Sequence, residues 1–80
     1  MELYNGVYSI LEELSGETSI SASHSISEDL SLDSLKMVTL LLNIEETFGF
    51  RLKPEDMNPY KLVIVNDVIE LVKKYTDGKQ

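Results

Sequence analysis

A serine or cysteine nucleophile needs a base beside it. This chain has one histidine, His24, set in a serine-rich loop, and no cysteine. A hydrolase would have to join Ser34 to His24 alone, and His24 reads as an ordinary loop residue. The acidic pairs Glu28-Asp29 and Glu55-Asp56 are adjacent. They lack the alternating acids, central glycine and terminal glutamate of a calcium loop, so they read as solvated charges or as first-turn charges near helix starts. No GxxxxGK[ST] or GxGxxG phosphate cradle is present. The chain shows no catalytic constellation and is not expected to be an enzyme. The remaining feature is Asp33-Ser34-Leu35, directly ahead of an apolar run. Taken alone, an Asp-Ser pair in that position is also an ordinary helix cap.

The elements around that tripeptide give it a setting. Leu3, Val7, Ile10, Leu11 and Leu14 recur at spacings of three and four, which predicts a helix over residues 2–15. Gly16 follows, where a left-handed C-terminal cap belongs. Residues 16–32 hold no helical pattern, but Ile20, Ile26, Leu30 and Leu32 are spaced along them. A loop of that length inside a small domain is functional or disordered, and the spaced aliphatics predict an ordered one pinned to the core. A second helix is expected from Asp33 or Ser34 to Phe48, with either residue capping it and Gly49 ending it. Its inward face reads as Leu35, Val38, Leu41, Leu42, Glu45 and Phe48, with Met37 and Ile44 beside it. Lys36, Thr39, Asn43, Glu46 and Thr47 form the polar side. Val38, Leu42, Ile44 and Leu62 are expected between this helix and the later ones.

The stretch from Phe50 to Leu62 carries two prolines and predicts one short helical turn, after Lys53-Pro54 or near Asn58-Pro59. Val65, Val68, Ile69 and Val72 face inward on a last helix over residues 65–75. The expected fold class is all-α: three main helices plus one short helix, with a long ordered loop between helices 1 and 2. Residues 1–76 form a single domain in this reading, and 77–80 a frayed tail.

Composition narrows the function classes. With 80 residues and neither a disulfide nor an obvious metal set, the chain must rely on packed aliphatic helices, which its 42% hydrophobic content allows. A formal charge of −7, from 14 acids and 7 bases, repels phosphate backbones and anionic membranes. Neither nucleic acid nor a stable membrane association is expected, and basic patches on partner proteins are. The start, Met1-Glu2-Leu3-Tyr4-Asn5, lacks the basic and apolar regions of a signal peptide. A cytoplasmic monomer is the expectation.

The segment Asp29-Leu30, Asp33-Ser34-Leu35, then a helix closing on Glu45-Glu46-Thr47-Phe48, resembles the acyl carrier protein family, with its peptidyl and D-alanyl carrier relatives. Ile64-Val65-Asn66-Asp67-Val68-Ile69 resembles the start of the family's last helix. Length, helix order and loop length agree over nearly the whole chain, so the resemblance also implies a four-helix bundle. It implies that Ser34 carries 4′-phosphopantetheine, donated by coenzyme A as a phosphodiester. Asp33 and Leu35 would be read by the phosphopantetheinyl transferase, which supplies the base and the Mg²⁺. The arm's thiol would then hold acyl or aminoacyl groups as thioesters for fatty acid, polyketide or specialised lipid biosynthesis.

Acyl- or aminoacyl-loading and processing enzymes with basic patches would be the other partners, meeting Lys36, Thr39, Leu40, Glu45 and Glu46. The family's carriers of bacterial fatty acid synthesis show several acids on the exposed face of this helix. Here that face has Lys36 and Thr39, which would weaken charge pairing and favour a dedicated carrier over a housekeeping one. The Gly-Gly of peptidyl carriers is missing before Ser34. The competing reading from another class is a helical interaction domain with this fold and no prosthetic group. There Ser34 would merely cap the helix.

Overall fold

The computed structural model describes residues 2–77, and the side chains of residues 5–76. Three α-helices form: α1 (Glu2–Ser15), α2 (Ser34–Phe48) and α3 (Val65–Asp77). Their starts and the first two ends fall where caps and periodicity put them. Gly16 takes φ 79° and donates to the Glu12 carbonyl, closing α1, and Gly49 takes φ 74° and donates to the Glu45 carbonyl, closing α2. Both need the left-handed conformation that glycine adopts without strain. α3 runs to Asp77, two residues past the expected end, with the Thr76 hydroxyl donating to the Val72 carbonyl. The rest of the expected tail, 78–80, lies outside the described residues.

The four-helix bundle is not formed; the bundle has three helices among the described residues. Where one short helix was expected, there are two 3-10 turns, Pro54–Asp56 and Pro59–Lys61, so both proline positions are used. Proline suits a first turn, but it lacks a donor and disfavours helical backbone in the residue before it. Asn58 is accordingly extended, and its side chain accepts from the Tyr60 amide. A continuous helix through this segment is thereby prevented.

The core takes Val7, Ile10 and Leu11 from α1, Met37, Leu40, Leu41 and Ile44 from α2, and Val65, Val68, Ile69 and Val72 from α3. Ile26, Leu30 and Leu32 of the long loop are buried with them, as the ordered-loop expectation requires. The loop is held by backbone as well. Ile26 N donates to Val63 O, Val65 N to His24 O, and Asn66 N to Ala22 O. The loop's carbonyls therefore take up donors that the start of α3 would leave orphaned. Asp67 faces back and accepts from the amides of Val63 and Ile64.

The face of α2 is turned relative to expectation. Leu35, Val38 and Leu42 are exposed, at 75%, 42% and 52%, while Leu40 is fully buried. Of the four residues expected between α2 and the later helices, Ile44 and Leu62 are buried, and Val38 and Leu42 are not.

Candidate functional site around Ser34

Ser34 is the first residue of α2, and Asp33 is its N-cap. Asp33 is extended (φ −87°, ψ −179°), and its carboxylate accepts from the Lys36 amide at 2.9 Å. Its carbonyl accepts the first helical bond, from Met37 N at 2.9 Å. The capping role is thus filled by Asp33, not by Ser34. The Ser34 hydroxyl has no hydrogen-bond partner among the described residues, and neither do the amides of Ser34 and Leu35. Both Ser34 and Leu35 are exposed. Three residues earlier, Ser31 sits at φ 57°, bending the chain into the helix between buried Leu30 and Leu32.

Beside Ser34 opens a cleft of about 360 Å³, lined by Ile26, Leu32, Met37, Leu62, Tyr60 and Val63, with Ser27, Asp33 and Ser34 among its polar groups. The long loop, the start of α2 and the second 3-10 turn all contribute to it. The space exists here because the proline-broken segment approaches α2 with one short turn in place of a helix.

His24 lies elsewhere in function. Its Nδ1 accepts from the Ser21 amide at 3.1 Å and its carbonyl from Val65 N. No hydrogen bond joins it to Ser34 among the described residues, and no group of three or more metal-ligating side chains exists there. No described helix is long and apolar enough to cross a membrane.

The residues expected to meet partners divide. Lys36 reaches back across the bundle, its Nζ donating to the Leu14 carbonyl at 3.3 Å, where it serves the negative end of α1. The Thr39 hydroxyl donates to Leu35 O within its own helix. Glu45 accepts from the Leu52 amide at 2.7 Å and so ties down the chain leaving α2. Leu40 is core, which rules out a docking contact. Of these five, only Glu46 is exposed and makes no side-chain hydrogen bond or ion pair. Sequence reasoning missed the exposure of Leu35, Val38 and Leu42. The signal was available: Met37, Leu40, Leu41, Ile44 and Phe48 form an entirely apolar stripe at helical spacing, whereas the preferred face contained Glu45.

Asp56, read from sequence as a solvated charge or a first-turn charge near a helix start, lies in the first turn of the 3-10 helix Pro54–Asp56 and is also fastened to α3. It accepts from the Tyr75 hydroxyl and forms an ion pair with Lys74 at 3.0 Å, its side chain only 9% exposed. The Tyr75 oxygen accepts in turn from the Lys53 amide at 2.8 Å, and its ring stacks on Phe50 at 4.8 Å. The Tyr75 hydrogen bond, followed by Lys74, holds the Asp56 carboxyl below the usual carboxylate range. The bond to Asp56 raises Lys74. Burial, and then the same bond, raise Tyr75.

An exposed serine with a free hydroxyl on an ordered helix start, next to unpaired amides and a cleft with an apolar floor, fits a phosphodiester bearing a slender arm. Comparison with known proteins agrees. Residues 5–72 match the family model described as the phosphopantetheine attachment site. The acyl carrier protein of Kineococcus radiotolerans is 36% identical over 64 residues, covering 78% of this chain and 79% of its own. That of Arthrobacter sp. is 34% identical over the same shares. The meromycolate extension acyl carrier protein of Mycobacterium leprae is 31% identical over 75 residues, covering 91% of this chain and 64% of its own. Fold and match together define a phosphopantetheine-bearing carrier domain. The chain belongs to the acyl carrier protein family, whose members are carriers rather than enzymes and hold 4′-phosphopantetheine covalently.

Proposed function

We propose that Ser34 is the attachment residue, and that residues 1–76 act as one monomeric, cytoplasmic carrier domain. The observation that carries this reading is the Ser34 hydroxyl: exposed, on fixed backbone, and without a structural task, since Asp33 does the capping. In the loading step Ser34 Oγ gives its proton to a base of the transferase and forms a bond to the phosphorus of the pantetheine phosphate in coenzyme A. The pyrophosphate bond breaks, and adenosine 3′,5′-bisphosphate leaves with its charge met by Mg²⁺. The group, once bound, supplies the thiol that this cysteine-free chain lacks, and with it the thioester chemistry of acyl transfer.

Asp33 and Leu35 flank the serine as the residues the transferase reads, Leu35 being wide open to contact. The free amides of Ser34 and Leu35 and the positive end of α2 favour a phosphate there. Partners beyond the transferase are enzymes that load and process acyl groups, drawn by a net charge of −7 toward basic surfaces. The carried chemistry is the building of an acyl chain for fatty acid, polyketide or specialised lipid assembly. The relative named for meromycolate extension is consistent with that class.

Intact mass is the test. Apo protein incubated with coenzyme A, Mg²⁺ and a broad-specificity transferase should gain one phosphopantetheinyl group, and Ser34→Ala should gain none. Ser34→Ala should also keep its melting temperature, because the hydroxyl holds nothing in place. Were the variant to take up the group, or the wild type to gain none while the variant lost about 1 kcal/mol, the attachment role of Ser34 would be wrong.

A further inference from the structure

The polar side chains lining the cleft beside Ser34 are those of Ser27, Asp33, Ser34 and Tyr60. Asp33 is engaged as the cap of α2, and Ser34 is the attachment residue of the reading above. The side chains of Ser27 and Tyr60 make no hydrogen bond among the described residues. Two hydroxyls therefore stand at the cleft without a structural task.

Ser27 is the better placed of the two. It stands on a turn that closes on itself. The Ser25 carbonyl accepts from the amides of Asp29 and Leu30, and the Ser25 hydroxyl accepts from the Glu28 amide at 3.2 Å. The Asp29 carboxylate accepts in return from the Ser25 amide at 2.7 Å. Ile26 and Leu30, on either side of this segment, are buried, and Ile26 N donates to Val63 O. Ser27 is thus exposed on ordered backbone, so little conformational freedom is lost when its hydroxyl is engaged. Tyr60 is 85% exposed, on a 3-10 turn whose own hydrogen bonds are local, and its phenol is left to water.

The charge at the site decides what such a hydroxyl can do. A phosphodiester on Ser34 carries a negative charge next to the Asp33 carboxylate. No lysine or arginine is among the residues lining the cleft, and Lys36 is turned onto the Leu14 carbonyl. Holding the anion therefore falls to neutral donors, of which a hydroxyl from the loop is one. Hydrogen bonds to a charged acceptor are about twice as strong as neutral ones, so a single well-fixed serine is enough to matter.

We propose that Ser27 is a positioning residue for the arm: its hydroxyl donates to the phosphodiester on Ser34 and fixes the arm's first link to the wall of the cleft. The inference rests on the carrier reading above and adds a contact which that reading does not require. Loading then ties the turn over residues 25–30 to the start of α2, and through Ile26 to Val63.

The experiment compares apo and holo forms of wild type, Ser27→Ala, Ser27→Thr and Tyr60→Phe by phosphorus NMR and hydrogen–deuterium exchange, neither of which depends on activity. The phosphorus resonance of holo Ser27→Ala should stand apart from that of wild type. Ser27→Thr, which keeps the hydroxyl, and Tyr60→Phe should both give the wild-type position. In wild type, loading should slow exchange of the Ile26 amide by about tenfold, the worth of one hydrogen bond to a charged group. In Ser27→Ala it should hardly change the rate. The apo proteins should all melt together, because neither hydroxyl holds the unloaded fold.

A holo Ser27→Ala with the wild-type resonance and the wild-type slowing would overturn the contact and leave the carrier role standing. A resonance moved by Tyr60→Phe and not by Ser27→Ala would give the contact to the phenol and overturn the proposal equally. An apo Ser27→Ala that melts below wild type would show the hydroxyl already at work in its own turn, against the proposal. A wild type that accepts no group from several transferases would remove the carrier reading and this inference with it.

Discussion

Asp33 and Ser34 are neighbours with separate tasks. The carboxylate of Asp33 satisfies the Lys36 amide, one of the donors that every helix start leaves without an intrahelical acceptor. That leaves the serine hydroxyl free. Asp33→Ala should therefore cost about 1 kcal/mol, a fall of roughly 4–8 °C in melting temperature for a domain of this size. It should also slow loading by fraying the turn that presents Ser34. Thermal denaturation beside loading kinetics checks both, and unchanged stability would show that another group had taken over the cap. Lys36 illustrates the opposite case. From sequence alone it is a surface cation facing partners. In the fold its long stem carries the charge to the end of α1, which has no basic residue of its own in its last turn.

At the scale of elements, the helices announce themselves through caps: Asp33 before α2, Gly16 and Gly49 after α1 and α2. Which face of α2 turns inward was less legible. Leu40, Leu41 and Leu42 are consecutive, and a leucine run supports two registers a residue apart. Packing against α1 and the long loop decides in favour of Leu40 and Leu41. The glutamate in the discarded register was the clue. Composition could not show the fastening of the proline segment to α3 either, because Asp56 and Tyr75 are 19 residues apart and meet only through the fold.

That fastening has a pH signature. The Asp56 carboxyl is held below its ordinary value, so its contribution is present above about pH 4 and fades as pH falls through the lowered value. Tyr75 and Lys74 are raised, so theirs is complete below about pH 10 and fades as pH rises beyond it. Asp56→Asn should flatten the acid limb of a plot of melting temperature against pH. Tyr75→Phe, losing its bonds to Asp56 and from the Lys53 amide, should cost about 1–2 kcal/mol at neutral pH and flatten the alkaline limb. An acid limb unchanged in Asp56→Asn would place the titrating group elsewhere.

For the molecule as a whole, the class of fold, the ordered loop and the place of Asp33-Ser34-Leu35 at the start of α2 were legible. Each is written locally, in apolar spacing or in a short motif. The cleft and the exposed side of α2 were not, since both arise from how separate segments meet. One such meeting reaches furthest. The first donors of α3 end on carbonyls of Ala22 and His24, and Ile26 of the same loop donates to Val63; Ile26 also forms part of the cleft wall. The linker between the first two helices and the root of the third are therefore a single cooperative unit, opening together or not at all. In hydrogen–deuterium exchange the amides of Ile26, Val65 and Asn66 should lose protection at one common rate. Once the arm is loaded or acylated, a shared change in that rate would let three protons remote from Ser34 in sequence report the state of its cleft. Unrelated rates would show that loop and helix open separately.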